Sequence, residues 1–93
     1  MRVRRRPDLA FRVIDEETWI VSPRDSRLHR LNSTASHLWA LLESEPTVDA
    51  LALALVKEFE VDESHARADA ERFVHALVEQ GVAELLEDRR DHG

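Results

Sequence analysis

The sequence predicts an α+β domain in which a three-stranded antiparallel sheet is followed by three helices. Residues 9–31 contain three short stretches with strand patterns, and residues 33–81 contain three longer stretches with apolar residues at helical spacing. A run of strands followed by a run of helices is typical of α+β domains. Three helices with a small attached sheet have the outline of a winged helix-turn-helix domain. The expected fold is therefore winged helix-turn-helix-like. The 93 residues suffice for one such domain but not for a core and a buried active-site cleft.

Three segments are predicted to form the strands of the sheet. Residues 9–14 alternate so that Leu, Phe and Val side chains share one face, and residues 18–21 are mostly β-branched or aromatic. Residues 27–31 follow a turn that contains Pro23 and form a short third strand, which completes a meander. The outermost strand of this meander would have unpaired backbone groups along one side.

Each predicted helix begins after a residue that favours the N-cap position. These residues are Asn32, Thr47 and Asp62, and each precedes a stretch with apolar residues three and four positions apart. Gly81 suits the C-terminal cap of the third helix, after which residues 82–86 either add an edge strand or extend the packing. The helical part of the predicted core consists of Ala35, Leu38, Trp39, Leu42, Val48, Leu51, Ala52, Leu55, Phe59, Ala66, Ala70, Phe73, Val74, Leu77 and Val78.

The two ends of the chain are predicted to lie outside the folded domain. Residues 1–8 contain four arginines before Pro7 and are expected to form a flexible basic N-terminal arm. This arm is either a solvated terminus or an electrostatic contact for an acidic peptide or partner enzyme. The folded domain is expected to span residues 9–86, and residues 87–93 are expected to form a disordered tail.

The sequence contains no pattern typical of catalysis, of a cofactor or of a metal ion. It has no cysteine, its five histidines lack the spacing of metal ligands, and its two glycines cannot form a glycine-rich phosphate loop. We therefore expect no enzyme activity, no cofactor and no metal site. The net charge of −6 disfavours binding to nucleic acid. The lack of a long apolar run predicts no membrane segment and favours the cytoplasm.

Several short motifs, taken in order, resemble the PqqD-like family, whose members are also called RiPP recognition elements. RiPPs are ribosomally synthesised and post-translationally modified peptides. The resemblance covers residues 9–86, and its motifs lie between residues 28 and 82. The motifs are Leu31-Asn32, Ala35, Leu38-Trp39, Thr47-Val48, Phe59, Val61-Asp62, Leu77 and Gly81-Val82.

This resemblance implies a non-catalytic binding module. Its family captures the leader segment of a precursor peptide by strand addition and presents it to a modifying enzyme, such as a radical SAM protein, or to a leader peptidase. The leader would pair with the third strand and lie against the third helix, a mode in which backbone bonds give affinity and side-chain pockets give specificity. Many members have an aromatic residue where this chain has His29, so the pocket is expected to be more polar here. The peptide-binding residues implied by position are Arg27, Leu28, His29, Arg30 and Leu31 on the strand and Arg67, Ala70, Glu71 and Val74 on the helix.

Two other functions remain open at this point. A winged-helix DNA-binding transcriptional regulator would share the same outline, although the acidic net charge and the mixed charge of the third helix count against it. A structural interaction subunit could instead dimerise through the exposed strand, so the oligomeric state is left open.

Overall fold

The α+β prediction is confirmed by the computed structural model, which describes residues 1–86. Two antiparallel sheets are present, a β1–β5 ribbon and a three-stranded sheet with the order β2-β3-β4. A short 3-10 helix, Leu42–Ser44, continues the first α-helix. The predicted tail over residues 87–93 lies outside the described residues. The elements are β1 (Arg2–Arg5), β2 (Ala10–Ile14), β3 (Glu17–Ser22), β4 (Arg27–Leu31), α1 (Ser33–Leu41), α2 (Val48–Phe59), α3 (Glu63–Glu79) and β5 (Ala83–Leu86).

All three predicted N-caps are confirmed. The side chains of Asn32, Thr47 and Asp62 each accept a hydrogen bond from the backbone N–H three positions later, at 2.8, 3.0 and 2.9 Å. These bonds satisfy donors that the first turn of a helix otherwise leaves without partners. At the third helix, the hydrogen bond from the His65 backbone lowers the pKa of Asp62, and the His65 side chain adds to the effect. The first residue of each helix could therefore be predicted from local chemistry.

The core lies where α1 crosses the inner face of β3 and where α2 and α3 pack beside it. Trp39 and Ile20 are both fully enclosed, and the ring of Phe11 meets Trp39 edge-on with centroids 5.5 Å apart. Leu51 and Leu55 of α2 and Ala66, Ala70, Val74 and Leu77 of α3 are buried as the apolar spacing predicted. The same prediction is wrong for Phe59 and Val78, which are 41% and 37% exposed because they lie at the edges of their helix faces. Val82 and Ala83 close this layer at the start of β5.

The prediction of a flexible arm over residues 1–8 is wrong for the part that forms β1. Arg2–Arg5 pair antiparallel with β5, and Val3 is 0% exposed. The N–H of Val3 donates to the carbonyl of Pro46 at 2.8 Å. The physical reason is alternation: the arginines on either side of Val3 point away from the core, so their charge conceals an ordinary strand pattern.

Arg5 ties this ribbon to the rest of the domain. Its guanidinium donates to the carbonyl oxygen of Trp39 at 2.8 Å and lies 4.6 Å from the ring centre of Phe11. Burial lowers the pKa of Arg5, and Glu43 partly opposes that shift. Arg5 therefore joins β1, β2 and α1 at a single point.

Candidate functional site

The predicted third strand, β4, lies at one edge of the three-stranded sheet. Its bounds, Arg27–Leu31, are the predicted ones. It pairs with β3 on one side, and no strand among residues 1–86 pairs with its other side. The hydroxyl of Ser36 donates to the carbonyl of Leu31 at 3.2 Å, which fixes the end of the strand to α1. The structure therefore has a strand edge at the position expected for peptide binding.

The pairing register shows which backbone groups of β4 point outward. Asp15 and Glu16 form a two-residue turn with positive φ angles of 53° and 68°, so the flanking Ile14 and Glu17 are the residues that close it. Hydrogen bonding then alternates along each strand. By this alternation Arg27, His29 and Leu31 bond to β3, whereas the N–H and C=O groups of Leu28 and Arg30 point to the outer edge.

The side chains of β4 divide between two faces. Arg27, His29 and Leu31 lie opposite Ser22, Ile20 and Thr18, which are buried on the inner face of β3. Leu28 and Arg30 lie on the outer face. Leu28 is 62% exposed, the largest exposed fraction among the big apolar residues of the described chain.

Two polar features distinguish this strand. Arg30 lies 3.9 Å from a carboxylate oxygen of Glu17, and its guanidinium is 5.6 Å from the ring centre of Trp19. The Nε2 atom of His29 is buried and has no hydrogen-bond partner among the described residues.

The turn before β4 contains Asp25, whose pKa is lowered. The main cause is a hydrogen bond from the hydroxyl of Ser22.

The helix residues predicted for the site lie in the core or on the flank of α3 that faces α2. Ala70 and Val74 are buried in the core. Arg67 and Glu71 lie on the flank of α3 that faces α2, where Arg67 forms ion pairs with Asp49 and, at 3.3 Å, with Glu71. The structure therefore brings the five strand residues together but places these four helix residues elsewhere.

The opposite flank of α3 forms a groove that begins where β4 ends. We call it the α1–α3 groove, and its volume is about 390 Å³. Phe73 and Arg72 are turned about 120–140° from Arg67 around the helix, because each residue advances by about 100°. The helical periodicity of the sequence separates these two flanks of α3. It does not show which flank lies beside β4, because that depends on how the helix packs in the fold. The groove is lined by Asn32, Thr34, Ala35, Leu38, Leu55, Asp69, Arg72, Phe73 and Ala76.

Chemically, this arrangement can hold an extended chain. Among residues 1–86, no group of three or more potential metal ligands comes together. None of the helices in that range is long and apolar enough to cross a membrane. The outer edge of β4 offers backbone donors and acceptors, and the groove beside it offers an apolar surface with an Asp69–Arg72 ion pair at its rim.

The fold is similar to those of three solved structures, two of which are complexes with a leader peptide. TbiB1 in complex with the TbiA(beta) leader peptide superposes with a TM-score of 0.83 at 22% identity, covering 91% of this chain and 99% of that one. Lasso peptide synthetase B1, complexed with its leader peptide, gives 0.79 at 27% identity and covers 88% and 96%. The PqqD truncation of Methylobacterium extorquens PqqCD, described as a functional and stand-alone RiPP recognition element, gives 0.72 at 20% identity and covers 89% and 88%.

The sequence comparison agrees with the structural one. No curated protein sequence matches the chain significantly. The family model described as coenzyme PQQ synthesis protein D (PqqD) matches residues 17–83, which include β3, β4 and all three helices. The resemblance read from the motifs is therefore confirmed: the chain belongs to the PqqD family.

Proposed function

We propose that this protein is a non-catalytic module that binds the leader segment of a ribosomally synthesised precursor peptide and presents it to a modifying enzyme or a leader peptidase. The observation that carries the proposal is the outer edge of β4 beside the α1–α3 groove. Strand addition to such an edge needs only main-chain hydrogen bonds, and side-chain pockets then select the sequence. Family membership and the leader-bound structures of TbiB1 and lasso peptide synthetase B1 support it.

The proposed site combines the strand with the near flank of α3. Leu28 and Arg30 supply the backbone groups that pair with the leader, while Arg27, His29 and Leu31 hold the strand in the sheet. On the helix, Phe73 and its neighbours in the groove take the place of Arg67 and Glu71, which face the other way. Ala70 and Val74 contribute by packing α3 rather than by touching the peptide.

The proposal also includes the compartment in which the protein acts and the description of its fold. A ribosomal precursor is made in the cytoplasm, so the module would act there. The winged helix-turn-helix-like description refers to how the small sheet lies beside three helices. DNA binding is the alternative that this outline keeps open, and the net charge of −6 is the main argument against it.

The decisive experiment is an NMR titration of isotope-labelled protein. The titrants are the leader peptide of the precursor encoded beside the protein's gene and, in parallel, duplex DNA. We expect the leader to shift the amide signals of Leu28, Arg30 and Phe73 while Arg67 stays unchanged. Saturable shifts with DNA and none with the leader would overturn the proposal in favour of the regulator.

A matched pair of variants locates the leader on one edge of the sheet. Leu28→Pro removes an outward N–H from β4, and Val13→Pro does the same at the opposite edge, on β2. Leu28→Pro should weaken leader binding by roughly tenfold, the equivalent of one lost hydrogen bond. Val13→Pro should leave leader binding unchanged. Equal leader affinity in a folded Leu28→Pro protein would contradict strand addition at β4.

A further inference from the structure

An apolar row of side chains crosses the outer face of the three-stranded sheet and ends at β4. Ala10, Val21 and Leu28 are directly opposite one another on β2, β3 and β4. Val21 is 45% exposed and Leu28 is 62% exposed, so the apolar surface is largest where the row reaches the edge strand. The row therefore presents uncovered apolar surface at the edge to which the leader is proposed to add.

The neighbouring row on the same face carries positive charge at that edge. Arg12, Trp19 and Arg30 are directly opposite one another, and the Arg30 guanidinium lies 5.6 Å from the ring centre of Trp19. The side chain of Arg30 is 59% exposed, and its only ion pair within residues 1–86 is with Glu17 at 3.9 Å. That distance is too long for a hydrogen bond, and the guanidinium donates none to the described residues. The donors of Arg30 are therefore available to a further acceptor.

A strand added to β4 would extend both rows by one residue. The leader residues that bond to the outward backbone groups of Leu28 and Arg30 are two positions apart. Their side chains point to the outer face, because directly paired residues of neighbouring strands share a face. Their Cβ atoms would lie about 5 Å from those of Leu28 and Arg30. The leader residue between them points to the opposite face, which packs against α1.

The chemistry of the two rows indicates which leader side chains fit. An apolar side chain opposite Leu28 would cover surface that is otherwise in solvent. An acidic side chain opposite Arg30 would form a cross-strand pair of opposite charges, which is stabilising, whereas a basic one would be repelled.

The acidic residues near Arg30 do not occupy the position opposite it. Glu17 lies diagonally across from Arg30 on β3, the side away from the leader. Asp15 and Glu16 form the turn before Glu17, and neither pairs with Arg30. A leader carboxylate would instead approach from the outer edge of β4, where no strand lies among residues 1–86. The three carboxylates reduce the attraction felt by such a leader residue, so the expected gain is that of one exposed cross-strand pair.

We propose that the outer face of β4 selects leaders that have an apolar residue opposite Leu28 and an acidic residue opposite Arg30, two positions apart. The inference rests on the proposed function, since it takes β4 as the edge to which the leader adds. It adds a second recognition surface to the α1–α3 groove. Alternate side chains of the leader would then be recognised on opposite faces of one strand.

The test exchanges charge between the protein and the leader peptide of the precursor encoded beside the protein's gene. Each acidic residue of that leader is replaced by lysine in turn, and the Kd of every peptide is measured with the unaltered protein and with Arg30→Glu. One lysine peptide should bind the unaltered protein roughly tenfold more weakly than the natural leader does. The same peptide should bind Arg30→Glu more tightly than the natural leader does. The leader residue opposite Leu28, two positions away, should be apolar, and Leu28→Ala should remove most of the effect of changing it to serine.

Arg12→Glu is the matched control, because Arg12 is also opposite Trp19 but at the far edge of the sheet. Three strand spacings, about 14 Å, separate it from the leader, so at about 0.15 M salt it should leave leader binding unchanged. Amide spectra establish that both arginine variants are folded.

Three results would overturn the proposed selection while leaving leader binding intact. They are the absence of any lysine peptide that Arg30→Glu rescues, an equal loss of affinity in Arg12→Glu, and tight binding of a natural leader that lacks the apolar and acidic pair. Absence of leader binding in the unaltered protein would instead refute the proposed function.

Discussion

The two sheets of this small domain differ in what they do with their apolar residues. The β1–β5 ribbon is only four residues long on each strand, yet Val3 and Ala83 are enclosed in the core. The three-stranded sheet is larger, but its outer strands leave Leu28 and Val13 mostly in solvent. The ribbon therefore closes the domain, while the sheet offers surfaces to other chains.

This difference shows that size and charge are poor guides to the role of a strand. The ribbon contains the most arginine-rich stretch of the chain, yet its single valine, Val3, is buried in the core. The sheet has a far more apolar sequence, but several of those side chains remain uncovered. On the outer face, the cross-strand partners Val21 and Leu28 are both exposed, and neighbouring exposed apolar residues of this kind mark interaction sites more often than they contribute to stability.

The largest expected effect distinguishes the ribbon from the sheet by stability. Val3→Asp buries a charge with no partner and should lower the free energy of unfolding by about 3 kcal/mol or more. The matched change Val21→Asp, on the exposed face of β3, should cost less than about 1 kcal/mol. Urea denaturation followed by tryptophan fluorescence measures both. Similar losses in the two variants would remove the distinction between a structural and a binding sheet.

A smaller loss is expected where the two sheets are joined. Arg5→Ala removes the hydrogen bonds to Trp39 and the stacking on Phe11, and should cost about 2 kcal/mol in unfolding free energy. Arg5→Lys keeps the charge but not the forked donor, so it should recover only part of this. Full stability in Arg5→Ala would mean that β1 is held by its strand pairing alone.

The third expected effect is a loss of leader binding in a domain that remains folded. Phe73→Ala, in the α1–α3 groove beside the sheet, should weaken leader binding by roughly tenfold. Arg67→Ala, on the flank facing α2, should leave it unchanged. Isothermal titration with the leader peptide gives both values. A larger effect at Arg67 would return the site to the flank expected from the sequence.

The smallest effect is a pH dependence in the turn before β4. A hydrogen bond from Ser22 lowers the pKa of Asp25 below its ordinary value of 3.8. A lowered pKa in the folded state stabilises the protein above the unfolded value, and that contribution is lost as the pH falls through the folded pKa. Asp25→Asn should therefore lower the stability slightly near pH 7, where the contribution is fully present, and flatten the fall in stability below about pH 4. The midpoint of urea denaturation, measured from neutral to acidic pH in both proteins, checks this prediction. An identical acid dependence of stability in the variant would exclude the Asp25 carboxylate as a cause of acid destabilisation.

The features predicted correctly from the sequence are those that depend on neighbouring residues. Asn32, Thr47 and Asp62 act on N–H groups three positions away, so the caps were readable without a fold. Residues 27–31 form the predicted strand because turn residues bound it closely. The family was also recognisable, since its motifs are set by spacing along the chain.

The features that were missed depend on residues far apart in sequence. β1 pairs with a strand more than seventy residues later, so nothing local distinguishes it from a solvated arginine run. The flank of α3 that binds the peptide stays a prediction for the same reason. Helical spacing shows that Arg67 and Phe73 face different directions, but only the packed position of β4 decides which of the two lies near a bound peptide.

The pairing of Arg2 with Leu86 also has a consequence for the order in which the protein can fold. The strand made first during translation has its partner in the strand made last among the described elements. Val3 must remain without a partner strand until β5 has been synthesised, and such long-range pairing slows folding. The hairpins and helices can form as they emerge, but the core is completed only when the ends of the domain meet. Folding of this domain is therefore expected to finish after its synthesis, in a single late step.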